Sequence, residues 1–228
     1  MANKPKTNRA GDKNKVSSMD VCQTPPHAIE PLLPYIPQNW VVWESAVGPE
    51  RLLQKAFESY GYSVIGTDLM YGEEYNRFNY RPVSPDPSTG YEALYDIEVT
   101  NVPFSIKYEW IAEAFAAYMP FALLVPYETT FAADFHNIAK QYHRKPWAVE
   151  VLSPERRINF KMPNMGWGIK VWSEEKQKFV KKGDSAQMPT MWLTWGLEVW
   201  KHREESFLTY QVPMRSVKYN DDNTPKER

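Results

Sequence analysis

Two acidic residues and one glycine stand at spacings that could hold a nucleoside. Glu44 follows the apolar run 40–43, and Gly48 lies four residues further along the chain, where a glycine lets the backbone turn close to a ligand. Asp68 comes 20 residues after Gly48, behind a second strand-like run. This spacing is typical of an acidic side chain that binds the hydroxyls of a ribose. An ordinary turn followed by a solvated aspartate would look the same.

The same turn argues against one common class of nucleoside ligand. A dinucleotide-binding turn has glycines in the pattern G-x-G-x-x-G, whereas Glu50 and Leu53 occupy the second and third of these positions here. A pyrophosphate held against the turn would meet the negative charge of Glu50. The turn therefore disfavours NAD and allows a nucleoside without a phosphate chain.

The segments around these residues alternate between strand and helix patterns. Residues 49–60 place their apolar side chains on one helical face, with Pro49 suited to the first helical position and Gly61 to the end of the helix. A strand is predicted at 62–67. Together with residues 40–43, these segments form a right-handed βαβ unit.

This alternation continues along the chain. We predict a short helix at 26–33, strands at 94–100, 121–125 and 147–152, helices at 106–118 and 129–143, and a late strand at 191–197 that pairs antiparallel with 157–160 or its neighbours. The order predicts an α/β, Rossmann-like fold with a mostly parallel central sheet and helices on both faces. Open sheets of this kind bind ligands at the carboxyl ends of their strands, so the residues that follow the strands should meet there.

The composition is that of a globular domain. Of the 228 residues, 43% are hydrophobic and 24% are charged. We predict a single domain over 20–217, with a basic flexible tail at 1–19 and a flexible tail at 218–228. Within the domain, 161–190 is predicted to be a long irregular excursion. It interleaves tryptophans with lysines, a pattern that suits contact with bases and phosphates.

Several classes of protein do not fit this sequence. No apolar run approaches about 18 residues, so we expect no membrane helix, and the basic N-terminus lacks the apolar stretch of a secretory signal. The single cysteine, Cys22, excludes a disulfide framework and a thiolate zinc cluster. The four histidines are scattered, so no metal site is expected. A cytoplasmic protein fits best, and its net charge of −1 argues against nonspecific coating of nucleic acid.

Taken in order, the motifs resemble those of the phage-type DNA adenine methyltransferases that use S-adenosyl-L-methionine (SAM), and more broadly the class I amino-methyltransferases. Residues 44–48, ESAVG, resemble their E-P-A-C-G cofactor motif, and residues 64–69, VIGTDL, their second-strand motif. Residues 100–105, TNVPFS, resemble the catalytic motif T-N-P-P-F-S. The similarity extends over 22–126 and 147–197. It implies a class I methyltransferase fold and a partner that is nucleic acid, DNA rather than RNA.

The resemblance also implies which residues hold the cofactor SAM. Glu44 and Gly48 would contact its methionine end, Asp68 its ribose hydroxyls and Leu69 its adenine ring. Gln23 and Thr24 belong to a segment that resembles the N-terminal motif that closes over SAM.

The catalytic motif implies a reaction at a base amine. The exocyclic amine of adenine is a poor nucleophile, because its lone pair is delocalised into the ring. Two acceptors, the Asn101 side chain and the Val102 carbonyl, would draw that nitrogen toward tetrahedral geometry. Pro103 continues the motif, and Phe104 would stack on a base turned out of the duplex. The sulfonium of SAM is already an activated methyl donor, so positioning and electrostatics carry most of the catalysis.

Four residues depart from what the family motifs lead us to expect. Val102 replaces the first proline of N-P-P-F, Glu50 replaces a glycine and Ser45 replaces a proline. Glu98 lies inside a strand that should be buried, where a lone carboxylate is costly. It is therefore predicted either to face the cleft or to mark a less buried strand.

The resemblance thus implies SAM-dependent methylation of a base amine, adenine N6 in DNA, and the analogy with phage enzymes implies that it takes place in the cytoplasm of an infected bacterium. Two alternatives stay open. One is a methyltransferase scaffold that has lost activity and serves as a binding protein. The other is a methyltransferase that acts on RNA or on a protein amide.

Overall fold

The computed structural model describes residues 20, 22–68, 94–142, 149–155, 157–161, 169–182, 189–202 and 209–212. The α-helices in this part of the chain are α1 (Leu52–Ser59), α2 (Lys107–Ala116) and α3 (Ala133–Tyr142). The strands are β1 (Val41–Glu44), β2 (Ser63–Gly66), β3 (Ile97–Asn101), β4 (Phe121–Pro126), β5 (Val149–Pro154), β6 (Ile169–Ser173), β7 (Lys178–Lys182), β8 (Thr190–Trp195) and β9 (Thr209–Val212).

Seven of these strands form one sheet in the order β2-β1-β3-β4-β8-β5-β9. β1 pairs parallel with β2 and β3, β3 with β4, and β5 with β9, whereas β8 runs antiparallel between β4 and β5. The strand order reverses direction between β1 and β3, which opens a crevice at the carboxyl ends of these two strands. The predicted Rossmann-like α/β fold with a mostly parallel sheet is confirmed.

Helices cover both faces of the sheet, because alternate residues of each central strand point to opposite sides. On β4, Ala122 and Leu124 pack in the core that contains α1. Phe121, Leu123 and Val125 pack in the core that contains α2 and α3. All five side chains are fully buried, as a strand covered on both faces requires.

The first helix of the βαβ unit begins later than predicted. Pro49 lies in the turn before α1 rather than at its first helical position. Arg51 precedes the helix in the left-handed conformation, with a φ of 53°, so the chain completes its turn before the helix can start. Gly61 follows the helix with a φ of 85°, as predicted for a glycine at a helix end.

The late strand, predicted at 191–197, does not pair with 157–160, the partner named first in the prediction. β8 lies between β4 and β5, and residues 157–160 form no strand. Ile158 and Phe160 are buried, whereas Arg157 and Asn159 are exposed, which gives this segment the two-residue period of a strand. Its link to other backbone is a bridge between Lys161 and Gln23.

The excursion predicted at 161–190 is not wholly irregular. In its described part, β6 and β7 pair antiparallel as a hairpin around the turn at 174–177. The turn contains no glycine, asparagine or proline, so the usual hairpin signal is missing from the sequence. Gln177 takes the left-handed conformation instead, with a φ of 46°, and its side-chain amide donates to the Glu174 carbonyl at 2.8 Å.

Some predictions lie outside the described residues, namely those for the tails at 1–19 and 218–228, for Leu69 and for Trp167. In the part that the structure describes, no helix is both long and apolar enough to cross a membrane. The same part contains no group of three His, Cys, Asp or Glu side chains placed to hold a metal ion.

Two buried threonines provide a matched test of this core. The Thr100 hydroxyl has no hydrogen-bond partner among the described residues, whereas the Thr194 hydroxyl donates to the Glu150 carbonyl at 3.3 Å. We expect Thr100→Val to raise the free energy of unfolding by about 1 kcal/mol, because it removes an unsatisfied buried polar group. Thr194→Val should lower it by a similar amount. Urea unfolding measures both, and equal losses of stability would contradict the assignment.

Candidate functional site

A cleft opens at the carboxyl ends of β1 and β3, where the strand order reverses. The space that it encloses, including the solvent at its open mouth, is about 680 Å³. The predicted site residues that it brings together are Gln23, Thr24, Glu44, Gly48, Asp68, Asn101 and Pro103. They come from four separate segments of the chain, as the topology requires.

Two predicted catalytic residues lie outside the cleft lining. Val102 is 1% exposed and packs in the core with α2. Its N–H donates to the Leu124 carbonyl at 3.4 Å, a bond that a proline at this position could not make. Phe104 is half-buried and packs edge-to-face against Phe160, with ring centroids 6.5 Å apart.

The lining of the cleft is acidic. Asp20, Glu44 and Asp68 contribute carboxyl groups to it, and none of its described lining residues is a lysine or an arginine. Electrostatic complementarity therefore favours a cationic ligand and disfavours a phosphate.

Glu44 is a buried acid with an unused acceptor. The residue is 2% exposed, and its Oε2 has no hydrogen-bond partner among the described residues. Burial raises the pKa of Glu44 well above its ordinary value, and the charge of Asp68 raises it further. A backbone hydrogen bond from Gln54, in the first turn of α1, and the charge of Arg51 oppose this shift. A cation beside the unused oxygen would stabilise the ionised form.

The end of β2 fixes the turn that follows β1. Asp68 accepts the Gly48 N–H at 2.9 Å. Thr67 donates its N–H to the Glu44 carbonyl at 2.9 Å and accepts the Val47 N–H at 3.2 Å. These bonds set the shape of the turn without any help from a ligand.

The N-terminal segment closes over this turn. The Gln23 side chain lies so close to Gly48 that a Cβ atom there would overlap the Gln23 amide. Gly48 also has a φ of 63°, which L side chains rarely adopt. The Gln23 backbone pairs with Lys161 through two N···O contacts of 2.9 Å. Lys161 in turn binds both carboxylate oxygens of Glu50, at 2.7 and 2.8 Å.

The two unusual glutamates do not fill the cleft. Glu50 is turned toward Lys161 and is absent from the lining. Glu98 is 2% exposed and accepts hydrogen bonds from Ser45 Oγ at 2.5 Å and from Trp110 Nε1 at 2.9 Å. Both predicted outcomes for Glu98 are therefore wrong, because it neither faces the cleft nor marks an exposed strand. Buried donors from other elements satisfy it.

Asn101 ends β3 at the cleft. Its Oδ1 is buried and has no hydrogen-bond partner among the described residues. The loop that follows is held by Asp20, whose carboxylate accepts the Ser105 N–H at 3.2 Å and the Ser105 hydroxyl at 2.6 Å. An unsatisfied buried acceptor costs about 1–3 kcal/mol, and a ligand with an N–H donor would relieve that cost.

Three further lining residues are not among those that the sequence analysis assigns to the site. Trp110 packs in the core with α2 and also forms part of the cleft wall. Its place on α2, directly after the predicted catalytic motif, is the one clue available. Asp20 and Cys22 had none. Burial, and secondarily the charge of Asp20, raises the pKa of the Cys22 thiol, which disfavours the reactive thiolate.

Comparisons with known proteins add little to this description. No protein-family model matches the chain, and no curated protein sequence matches it significantly. Among solved structures, the tRNA (m1A58) methyltransferase TrmI from Aquifex aeolicus is similar at a TM-score of 0.33 and 10% identity. The match covers 74% of this chain and 66% of TrmI, so the chain spans slightly less than two thirds of that protein. The resemblance to phage DNA adenine methyltransferases stays a prediction.

The raised pKa of Glu44 predicts how stability depends on pH. The folded state binds this proton more tightly than the unfolded chain, so the stability that protonation provides is complete below the ordinary pKa of 4.5. It is lost as the pH rises through the raised pKa of the folded state. Glu44→Gln keeps an acceptor for Gln54 and removes the titration. We expect this variant to be more stable than the parent at neutral pH.

Urea unfolding at several pH values between about 4 and 8 tests this expectation. The control is Glu113→Gln, which changes an exposed glutamate of α2 and should follow the parent. A Glu44→Gln curve parallel to that of the parent would contradict the perturbed pKa.

Proposed function

We propose that the protein transfers a methyl group from SAM to the exocyclic amine of a nucleic-acid base. The observation that carries the proposal is a pair of buried acceptors without partners among the described residues, Glu44 Oε2 and Asn101 Oδ1, in one cleft. Glu44 Oε2 could accept a hydrogen bond from the ammonium group of an amino acid, and Asn101 Oδ1 could accept one from the N–H of a substrate amine.

The turn after β1 would hold the cofactor. Glu44 would accept a hydrogen bond from the α-ammonium group of SAM, and Asp68 would accept hydrogen bonds from the ribose hydroxyls. Gly48 would allow the backbone to approach the ligand once the Gln23 side chain moves aside. The acidic lining fits a cationic nucleoside better than it fits a phosphate chain. When bound, SAM supplies an activated methyl group on its sulfonium.

The loop after β3 would activate the substrate amine. Asn101 Oδ1 and the Val102 carbonyl would accept the two N–H groups of the amine, which localises the lone pair on nitrogen. The loss of the first proline is compatible with this role, because the loop has other supports. The Val102 side chain is buried and its N–H bonds to Leu124, while Ser105 is bonded to Asp20.

Adenine in DNA is the substrate class that the motif resemblance favours. Phe104 would need to present a ring face to the base. Its edge-to-face contact with Phe160 covers at most one face of the Phe104 ring. RNA and a protein amide offer similar N–H donors, so a panel of DNA, RNA and protein substrates decides among them.

A second candidate is a methyltransferase scaffold that has lost its activity and serves as a binding protein. The Gln23 side chain favours it, because that side chain covers Gly48, where the proposed cofactor would lie. Calorimetry with SAM on the parent and on Gln23→Ala tests this point. Binding only by Gln23→Ala would indicate a site closed by its own side chain.

The proposed reaction depends on the Asn101 amide. We expect Asn101→Ala to lower kcat for the transfer of labelled methyl from SAM at least about 100-fold, because it removes an acceptor that acts on the reacting amine. The dissociation constant of SAM, measured by calorimetry, should change less than about threefold, since Asn101 belongs to the other half of the cleft.

The control is Asn137→Ala, which changes an exposed asparagine of α3 and should leave both quantities unchanged. Methyl transfer that survives Asn101→Ala at the parent rate would rule out this catalytic loop. Absence of transfer to every substrate, combined with SAM binding by the parent, would favour the second candidate.

A further inference from the structure

A buried carboxylate joins three elements behind the cleft. Glu98 lies in β3, three residues before Asn101, and is 2% exposed. Its Oε1 accepts both the Ser45 hydroxyl at 2.5 Å and the Trp110 indole N–H at 2.9 Å. Ser45 belongs to the turn after β1 and Trp110 belongs to α2, so one oxygen links the two strands and the helix.

Both donors line the cleft, whereas Glu98 itself does not. Ser45 lies next to Glu44 in the turn that would hold the cofactor. Trp110 lies on the helix that begins directly after the Asn101 loop. The position of these two donors relative to Glu98 therefore sets the separation of the two halves of the site.

Stability of the sheet does not explain a glutamate at this place. The residues that pair with Glu98 on the adjacent strands are Trp43 and Phe121, and both are buried. A buried carboxylate is often no better for stability than an apolar side chain of similar size. What an apolar side chain cannot do is accept the Ser45 hydroxyl and the indole N–H together.

We propose that Glu98 is a positioning residue that fixes the cofactor turn against the amine-activating loop, an inference that rests on the proposed function. It accounts for two departures from the family motifs at once. Ser45 in place of proline supplies a hydroxyl, and Glu98 in a buried strand supplies the acceptor for it. Each departure is the other's partner.

The test compares two substitutions of Glu98 that differ in one property. Glu98→Gln keeps an oxygen acceptor, and Glu98→Met fills a similar volume without one. We expect Glu98→Met to raise the calorimetric dissociation constant of SAM at least about tenfold, and Glu98→Gln to stay within about threefold of the parent. Thr194→Val is the matched control, because it changes a buried side chain of β8 that lies outside the cleft lining, and SAM binding should not change.

A spectroscopic readout tests the contact without any ligand. The indole N–H resonance of Trp110, identified by its loss in Trp110→Phe, should shift in Glu98→Met and remain in place in Thr194→Val. Ser45→Ala should shift it less, because that variant keeps the carboxylate. A Trp110 indole N–H resonance that does not shift in Glu98→Met would overturn the proposal.

The outcomes separate the inference from the function on which it rests. If the parent binds SAM and Glu98→Met binds it equally well, the positioning role is wrong and the proposed function survives. Glu98→Gln that binds as weakly as Glu98→Met would also overturn the acceptor role. If the parent itself fails to bind SAM although the Trp110 resonance responds to Glu98→Met, the proposed function is wrong. The positioning role is then wrong as well, because it rests on that function.

Discussion

The parallel pairing of β1 with β3 is the constraint on which the rest of the site depends. Val42 pairs with Ile97 and Trp43 with Glu98, so both strands deliver the chain to the same edge of the sheet. The chain then leaves β1 toward α1 on one face and β3 toward α2 on the other. The space between the diverging segments is the cleft, and it would close if either strand ran the other way.

The buried glutamates away from the cleft and the one that lines it differ in how fully they are hydrogen-bonded. Glu98 and Glu150 each accept hydrogen bonds from buried donors, and Glu150 bonds the Val199 N–H at 2.9 Å. Glu44, which faces the cleft, keeps one oxygen without a partner among the described residues and has a raised pKa. A buried acceptor of this kind costs free energy, and such groups are characteristic of places where a ligand completes the bonding.

Local patterns were sufficient to place most elements, and the motif resemblance named seven residues that line one cleft. The strands and helices that were predicted well have long apolar faces, as on β4 and α2. What the sequence did not reveal depends on partners far away in the chain. The satisfaction of Glu98 needed Ser45 and Trp110, the late strand needed β4 and β5 as neighbours, and the left-handed Arg51 and Gln177 contradict residue preference.

The bridge between Gln23 and Lys161 has a consequence for the order of events during synthesis. This bridge joins the start of the described chain to a segment beyond β5. A nascent chain that has emerged only through α2 would therefore contain β1, β3 and the cleft residues between them, but not the Lys161 backbone that holds Gln23 over the cleft. Contacts between such distant positions form late, since the entropy of closing the intervening loop must be overcome first. The contact that holds Gln23 over the cleft therefore cannot form before residue 161 has been synthesised.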